Sequence, residues 1–213
     1  MNTSSFSQSG GNDSEQEVYQ GFGAFFLEII KVFILALVII VPVRVFLFQP
    51  FFVQGASMEP NFHNGEYLII NEFGYKQTSF GDVNDPSFSV TSWKDLERGD
   101  VVVFRYPNEP SQFFIKRVIG LPGETVKIAR GQVHIINERF PDGIVLDETD
   151  YLDSDVETIS GTMTTTLSDD EYFVMGDNRG ASHDSRTWGP LPKNMMIGRV
   201  LVRAWPLNRL GVL

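Results

Sequence analysis

The pattern of apolar positions divides the chain into one long apolar segment and a series of short runs. Residues 1–21 are rich in Ser, Asn, Gln, Gly and Glu without an apolar period, which predicts a disordered tail. Residues 22–50 are mostly apolar. Within them, Phe25 to Phe48 supplies the roughly 20 apolar residues that a spanning helix needs, with Arg44 reaching the interface. We predict a single transmembrane anchor over residues 22–50.

Two other interpretations of this apolar segment are weaker. A cleaved signal peptide would have a basic start and a shorter apolar core, whereas this chain starts with an acidic tail. A buried helix of a soluble protein would show a polar face, and this segment is apolar all round. Charges flank both ends, so the positive-inside rule leaves the orientation open. The link from Phe48 to Ser57 reaches about 30 Å at most, which predicts a serine near the bilayer surface.

Beyond Ser57, short runs of β-branched and aromatic residues predict strands. Turn residues separate these runs, and the spacing of parallel βαβ units is absent. We therefore predict a mostly β fold for residues 51–213, an antiparallel sheet or barrel-like domain. Polar stretches near 74–97 and 141–170 are predicted insertions or loops. The predicted strands are Tyr67–Ile70, Val101–Phe104, Phe113–Ile119, Val126–Ala129, Val133–Ile136, Tyr172–Met175 and Ile197–Ala204.

One lysine lies inside a predicted strand. Strand alternation places Lys116 on one face with Phe114 and Val118, while Ile115 and Arg117 point to the other face. A lysine among apolar neighbours can lose its charge, because burial disfavours the ammonium form. A serine hydroxyl needs such a base to become a nucleophile. Lys116 is a candidate for such a base, although a lone lysine in an apolar strand more often extends its amine to water than it catalyses.

Composition excludes several kinds of chemistry. A formal net charge of -10 argues against nucleic acid as a partner, because its binding depends on Lys and Arg. The chain has no cysteine, so disulfides, thiolate metal sites and a cysteine nucleophile are excluded. Metal-ligand spacing is missing, and we predict no metal and no cofactor. His183 lies between Ser182 and Asp184, but consecutive side chains diverge, and all three histidines are expected to be dispensable for chemistry.

Four sequence blocks in a fixed order give Ser57 and Lys116 a common context. The first follows the apolar segment and holds the serine, and the third holds the lysine. With these blocks the sequence resembles type I signal peptidases, the membrane-bound Ser/Lys proteases that remove signal peptides. The blocks are Gly55-Ala56-Ser57-Met58-Glu59-Pro60, Gly65 to Asn71, Arg98 to Phe104 with Ile115 to Glu124, and Gly176-Asp177-Asn178-Arg179 with Asp184-Ser185-Arg186.

The resemblance implies a role for each matching residue. Ser57 is the nucleophile, Lys116 the general base, and Ser182 the hydroxyl that orients the lysine. The charged residues of the last block brace the site, and Arg117 pairs with one of its aspartates, without the sequence saying which. These bracing residues are Arg117, Asp177, Asp184 and Arg186.

Two positions depart from the pattern that the resemblance implies. Gly55 stands where some members carry a serine that helps the oxyanion hole, so the Ser57 N–H is expected to do most of that work, as in the Gram-positive style of the family. Asn61 stands where threonine is usual. Shallow apolar pockets for small substrate residues are expected from four residues, each of which could equally be an ordinary core residue: Val53, Met58, Phe114 and Ile115.

The implied function is cleavage of Ala-x-Ala-like sites in secreted preproteins by a monomeric, single-pass membrane protein. Its partners would be the preproteins and the lipid bilayer, and residues 51–213 would form an extracytoplasmic catalytic domain. A self-cleaving Ser/Lys repressor-type protease shares a related β fold, but it would be soluble. A catalytically silent, membrane-tethered binding module is a third possibility, against which the complete set of Ser57, Lys116 and Ser182 argues.

Overall fold

The structure is a computed structural model that describes residues 13–46, 48–82, 85–153, 156–158 and 161–213. It divides into two units, residues 1–45 and 46–213. Helix α1, Asp13–Phe46, occupies the described residues of the first unit and ends on the first residue of the second. Within α1, Gly23–Ile40 is long and apolar enough to cross a membrane, and its side chains are exposed. An apolar helix surface of this length matches the hydrocarbon core of a bilayer.

The second unit is built on a large sheet. In the described part of the chain this sheet has eight strands, in the order β1-β2-β13-β5-β6-β11-β12, with β14 paired to β13. Neighbouring strands pair antiparallel. The strands are β1 Phe48–Phe52, β2 Tyr67–Asn71, β5 Val101–Tyr106, β6 Glu109–Gly120, β11 Glu171–Met175, β12 Leu191–Pro192, β13 Met196–Trp205 and β14 Gly211–Val212.

Two smaller sheets complete the described strands. The order of the first is β10-β7-β8-β9, and the second is the pair β3-β4. Their strands are β3 Thr78–Asp82, β4 Asp85–Val90, β7 Thr125–Ala129, β8 Gln132–Asn137, β9 Phe140–Val145 and β10 Met163–Thr166. A short helix, α2 Ser185–Trp188, and the 3₁₀ turns Lys193–Met195 and Leu207–Arg209 lie between strands.

Among the described residues the core has three apolar clusters, and strand β6 contributes to each of them. Ile115 packs against a cluster that contains Met58 and Val103, whereas Val118 belongs to a second cluster with Val102. Ile119 joins a third cluster with residues of the four-stranded sheet. This distribution confirms the predicted alternation, because side chains one position apart on β6 enter different clusters.

The mostly β, antiparallel prediction is confirmed, and each of the seven predicted strands has its counterpart in the large sheet or the four-stranded sheet. The boundaries of the first segments differ. Residues 1–12 of the predicted tail lie outside the described residues, and 13–21 belong to α1. The helix ends at Phe46, and β1 begins at Phe48. Pro50 fits β1 because this strand lies at the sheet edge, where a missing N–H costs little.

The two predicted insertions contain regular structure. Residues 78–82 and 85–90 form the separate β3-β4 pair, and the second insertion begins and ends in β9 and β10 of the four-stranded sheet. The polar composition that indicated loops here reflects strands whose side chains are largely exposed in β9 and β10.

Candidate active site

Ser57 lies in a turn that is held at both ends. Gly55 begins this turn with a φ of 88°, a left-handed conformation that favours glycine, and its N–H donates to Asn64 Oδ1 at 3.0 Å. After the serine, the Met58 side chain is buried in the core, and the Phe62 N–H donates to Met58 O at 2.8 Å. The serine is therefore presented between a fixed glycine and a buried methionine.

Lys116 reaches Ser57 from strand β6. It lies opposite Val102 of β5, and its Nζ donates to Ser57 Oγ at 2.7 Å and to Ile115 O at 2.9 Å. The side chain is buried, with Nζ 5.4 Å from the centre of the Phe114 ring. A nucleophile and its base within hydrogen-bond distance form the geometry that Ser/Lys catalysis requires.

Burial shifts the titration of this lysine. Desolvation lowers the pKa of Lys116 from 10.5 to about 8, although the charges of Asp184 and Asp177 act to raise it and Arg186 acts to lower it. A fully solvated lysine would be almost entirely protonated at neutral pH. The position of Lys116 in the sheet therefore gives it a larger neutral fraction at neutral pH than a solvated lysine has.

Two buried ion pairs stand behind the dyad. The structure resolves the partner of Arg117 as Asp177, whose carboxylate accepts from Nε at 2.8 Å and from Nη2 at 2.6 Å. Asp184 accepts from Arg186 Nη2 at 2.7 Å and from the Gly176 N–H at 3.0 Å. Burial alone would raise the pKa of Asp184, but these donors hold it below its ordinary value. The four residues predicted to brace the site thus form two ion pairs, Arg117 with Asp177 and Arg186 with Asp184.

Ser182 lies beside Gly176 on the same side of the site. A Cβ added to Gly176 would meet Ser182 Oγ at 2.2 Å and Ser57 O at 2.3 Å, so only glycine allows this close approach. The Ser182 Oγ is buried, and the Ser182 hydroxyl is one of the groups that lower the pKa of Asp184. Its orientation of Lys116 stays a prediction.

A groove of about 660 Å³ opens at the dyad. Three of the predicted substrate-binding residues, Val53, Phe114 and Ile115, line it, whereas Met58 lies in the core beneath it. The exposed His183 also lines the groove, with Nε2 3.0 Å from the Tyr106 hydroxyl. The walls are mainly apolar, which suits small apolar side chains of a bound peptide.

Comparisons with known proteins identify the family. The model of the family "Signal peptidase, peptidase S26" matches residues 26–205. The chain belongs to this signal peptidase family. It is 33% identical over 192 residues to a probable signal peptidase I-2 of Synechocystis, covering 88% of this chain and 77% of the relative. It is 34% identical over 183 residues to signal peptidase I P of Bacillus subtilis subsp. natto, covering 85% and 90%.

A solved structure of a signal peptidase I from Enterococcus faecalis V583 is also similar. It is 29% identical, with a TM-score of 0.40, and the match covers 50% of this chain and 97% of the other. Membership of the family makes the chain a peptidase, as its motif blocks predicted, with a candidate membrane span before the peptidase domain.

Four polar residues that contact the segments around the dyad were not identified as site residues from the sequence. Asn178 donates from its N–H to Ser57 O and from Nδ2 to Ala56 O, both at 3.1 Å. Its position beside Asp177 in the last block was the available signal. Asn64 was not singled out, because a hydrogen bond to Gly55 leaves no mark in the sequence. The other two, Glu148 and Tyr151, come from the predicted insertion at 141–170.

Proposed function

We propose that the chain is a membrane-anchored serine endopeptidase that cleaves signal peptides from exported preproteins, with Ser57 as nucleophile and Lys116 as base. The observation that carries this proposal is the 2.7 Å contact between Lys116 Nζ and Ser57 Oγ in a desolvated position. The names of the relatives support the substrate class.

The proposed reaction begins with proton transfer inside the dyad. Neutral Lys116 takes the Ser57 proton while Oγ forms a bond to the scissile carbonyl carbon. The Ser57 N–H receives the resulting oxyanion, and Gly55 leaves space for the carbonyl to approach. Lys116 then gives its proton to the departing amine as the peptide bond breaks. In the second half, Lys116 takes a proton from the water that attacks the acyl carbon, and returns it to Ser57 Oγ as the ester bond breaks and the new carboxyl terminus leaves.

The groove explains how an extended peptide could bind. Strand β11 pairs with β6 from Arg117 onward in the described residues, whereas Phe114 and Ile115 pair with β5. A substrate strand beside Phe114 and Ile115 would place its scissile bond at Ser57 and its small side chains against Val53 and Ile115. We propose these residues as the determinants of an Ala-x-Ala-like preference.

Exposed apolar side chains of the peptidase domain support lipid as a second partner. The exposed rings of Phe52 and Tyr67 lie 5.0 Å apart, and Tyr67 is in register with the exposed Trp205 on β13. Leu207 and Leu210 in the following turn are also exposed. Apolar surface of this kind marks interaction sites, and Trp is enriched at membrane interfaces. We propose that a single-pass monomer rests this surface on the outer face of the cell membrane.

Cleavage of a preprotein tests the central proposal. The full chain in detergent should cut a preprotein after an Ala-x-Ala-like site, as shown by the mass of the products. Ser57→Ala and Lys116→Ala should keep their fold by circular dichroism and lose detectable cleavage. Full activity in either variant would end the proposal. Self-cleavage without cleavage of the preprotein would instead favour a repressor-type protease, and peptide binding without turnover a silent module.

The membrane claims have tests of their own. The chain has no cysteine, so a single Cys placed at the exposed Thr149 should react with a membrane-impermeant maleimide in intact cells. In membranes containing brominated lipid, tryptophan quenching should fall in Trp205→Phe relative to the unaltered chain. Labelling only after cell lysis would reverse the proposed orientation, and unchanged quenching would remove the lipid contact. Sedimentation in detergent should give the mass of one chain.

A further inference from the structure

A short turn in the second insertion has a rigid internal structure. We name residues 147–152 the bracing turn. Asp147 Oδ1 accepts from the Thr149 N–H at 3.1 Å and from its hydroxyl at 2.7 Å, and the Leu152 N–H donates to Glu148 O at 2.9 Å. Leu152 is buried. The turn therefore keeps its own conformation and can hold the groups that it contacts in fixed positions.

Two contacts join this turn to the segments of the dyad. Asn61, which follows the serine turn, donates from Nδ2 to Tyr151 O at 2.7 Å and to Asp177 Oδ2 at 2.9 Å. The guanidinium of Arg117 lies 4.2 Å from the centre of the Tyr151 ring. Tyr151 thus contacts both the segment of Ser57 and the residue beside Lys116.

A third contact reaches the loop that holds the serine. Glu148 accepts from Arg179 Nη1 at 2.9 Å and from Nη2 at 2.5 Å, while the Tyr151 hydroxyl donates to Glu148 at 2.8 Å. Arg179 is buried and also donates to Gly176 O at 3.1 Å. Its neighbour Asn178 binds the carbonyl of Ser57. The same turn therefore contacts three segments that surround the dyad.

We propose that the bracing turn is a positioning element of the active site, which keeps Ser57 and Lys116 at reacting distance through Asn61, Arg117 and Arg179. This inference rests on the proposed function. The turn makes three separate contacts, one with each of three segments that surround the same dyad. This arrangement distinguishes positioning of the dyad from general stabilisation of the fold. The residues of the turn do not touch the reacting atoms, so Glu148 and Tyr151 are positioning residues.

The proposal has an electrostatic consequence at Lys116. Asp184, Asp177 and Arg186 act on this lysine, and Asp177 is held against Arg117. Without the Tyr151 ring, Arg117 loses one face of its support, and the charge of Asp177 is less well compensated. Looser packing also admits water. Both changes favour the ammonium form, so the pKa of Lys116 should rise. His183 lines the same groove but is present in every variant compared, so it cannot account for a difference between them.

The experiment compares variants of the full chain in detergent with one preprotein peptide. Tyr151→Leu removes the ring and the hydroxyl, whereas Tyr151→Phe keeps the ring over Arg117. The exposed Asp150 of the same turn provides the matched control, Asp150→Asn. For Tyr151→Leu we expect kcat to fall roughly 10- to 100-fold, with KM changed by less than about threefold. The inflection in the pH profile should move upward by about half a unit or more.

The controls separate positioning from stability. Tyr151→Phe and Asp150→Asn should retain kcat within about threefold and keep the wild-type inflection. If Tyr151→Leu does not fold, Glu148→Gln, which removes the charge facing Arg179, takes its place with the same expected direction. A lower Tm with unchanged kcat and inflection would overturn the inference while the proposed function stands. Failure of the unaltered chain to cleave any preprotein would instead refute the function.

Discussion

Titration of the dyad is the prediction that depends most directly on the structure. Burial lowers the pKa of Lys116 from 10.5 to about 8. At pH 7 a pKa near 8 leaves roughly 10% of the amine neutral, against about 0.03% at the ordinary value, a gain of about 300-fold in active base. The plot of kcat/KM against pH should rise about tenfold per unit below pH 8 and level off above it.

The assay is initial-rate cleavage of a quenched preprotein peptide by the full chain in detergent, with the pH varied from about 6 to about 10. Stability controls at each pH exclude unfolding as the cause of a change in rate. An inflection at or above pH 10, or a flat profile, would refute the reasoning, because Lys116 would then be solvated or would not be the base.

The lowered pKa of Lys116 also affects the stability of the fold, which can be measured without an activity assay. In the folded protein Lys116 binds its proton less tightly than in the unfolded chain, so its burial destabilises the fold whenever both states are protonated. A shift from 10.5 to about 8 corresponds to about 3 kcal/mol. This cost is complete below pH 8 and disappears as the pH rises towards 10.5. Lys116→Met should therefore be more stable than the unaltered chain at pH 7, and the difference should shrink between pH 8 and 10.5 in chemical denaturation. A pH-independent difference would contradict a buried, titrating lysine.

Three further substitutions test the surroundings of the dyad. Gly176→Ala should lower kcat by about 100-fold or more, since its Cβ would lie 2.3 Å from Ser57 O and must displace the serine turn; wild-type kinetics would contradict this close packing. Asn178→Ala should lower kcat about 10-fold with little change in Tm, because it removes one of two donors that hold the serine turn; a change in KM alone would point to substrate binding instead. Glu124→Gln should leave cleavage unchanged and cost about 1–3 kcal/mol at neutral pH by denaturation, because Arg98 loses its carboxylate. Burial alone would raise the pKa of Glu124, but the hydrogen bonds from Arg98 and the other donors lower this pKa below 4.5. The carboxylate therefore stabilises the fold above pH 4.5, and this contribution is lost as the pH falls below that value.

Strand alternation predicted the apolar face on which Lys116 lies, because a period of two assigns faces without knowledge of any other strand, whereas its proposed role as base came from the resemblance. The contact between Lys116 and Ser57 was predictable only through the motif blocks, since 59 positions separate these two residues. Met58 shows the limit of this reasoning. Its place beside the nucleophile suggested a pocket wall, whereas its side chain fills the core and fixes the turn.

The contacts of the second insertion were beyond sequence reasoning. Asn61 stood out only as a departure from threonine, and its partner Tyr151 lies 90 positions away. Arg117 could have paired with any aspartate of the last block, and the register of β11 on β6 places Asp177 within its reach. Such pairings depend on which strands become neighbours, and local composition carries no record of that choice.

The amino-acid order by itself determined the long apolar segment and the β character of the remainder, because each depends on local periodicity or on residue type. Its motif blocks also gave Ser57 and Lys116 as the candidate reacting side chains. The tertiary structure decided the 2.7 Å approach of Lys116 to Ser57, the assignment of Asp177 to Arg117 and the burial that lowers the pKa of the lysine. Proton affinity depends on the solvent and charges around a group, and these arise only when distant strands pack together.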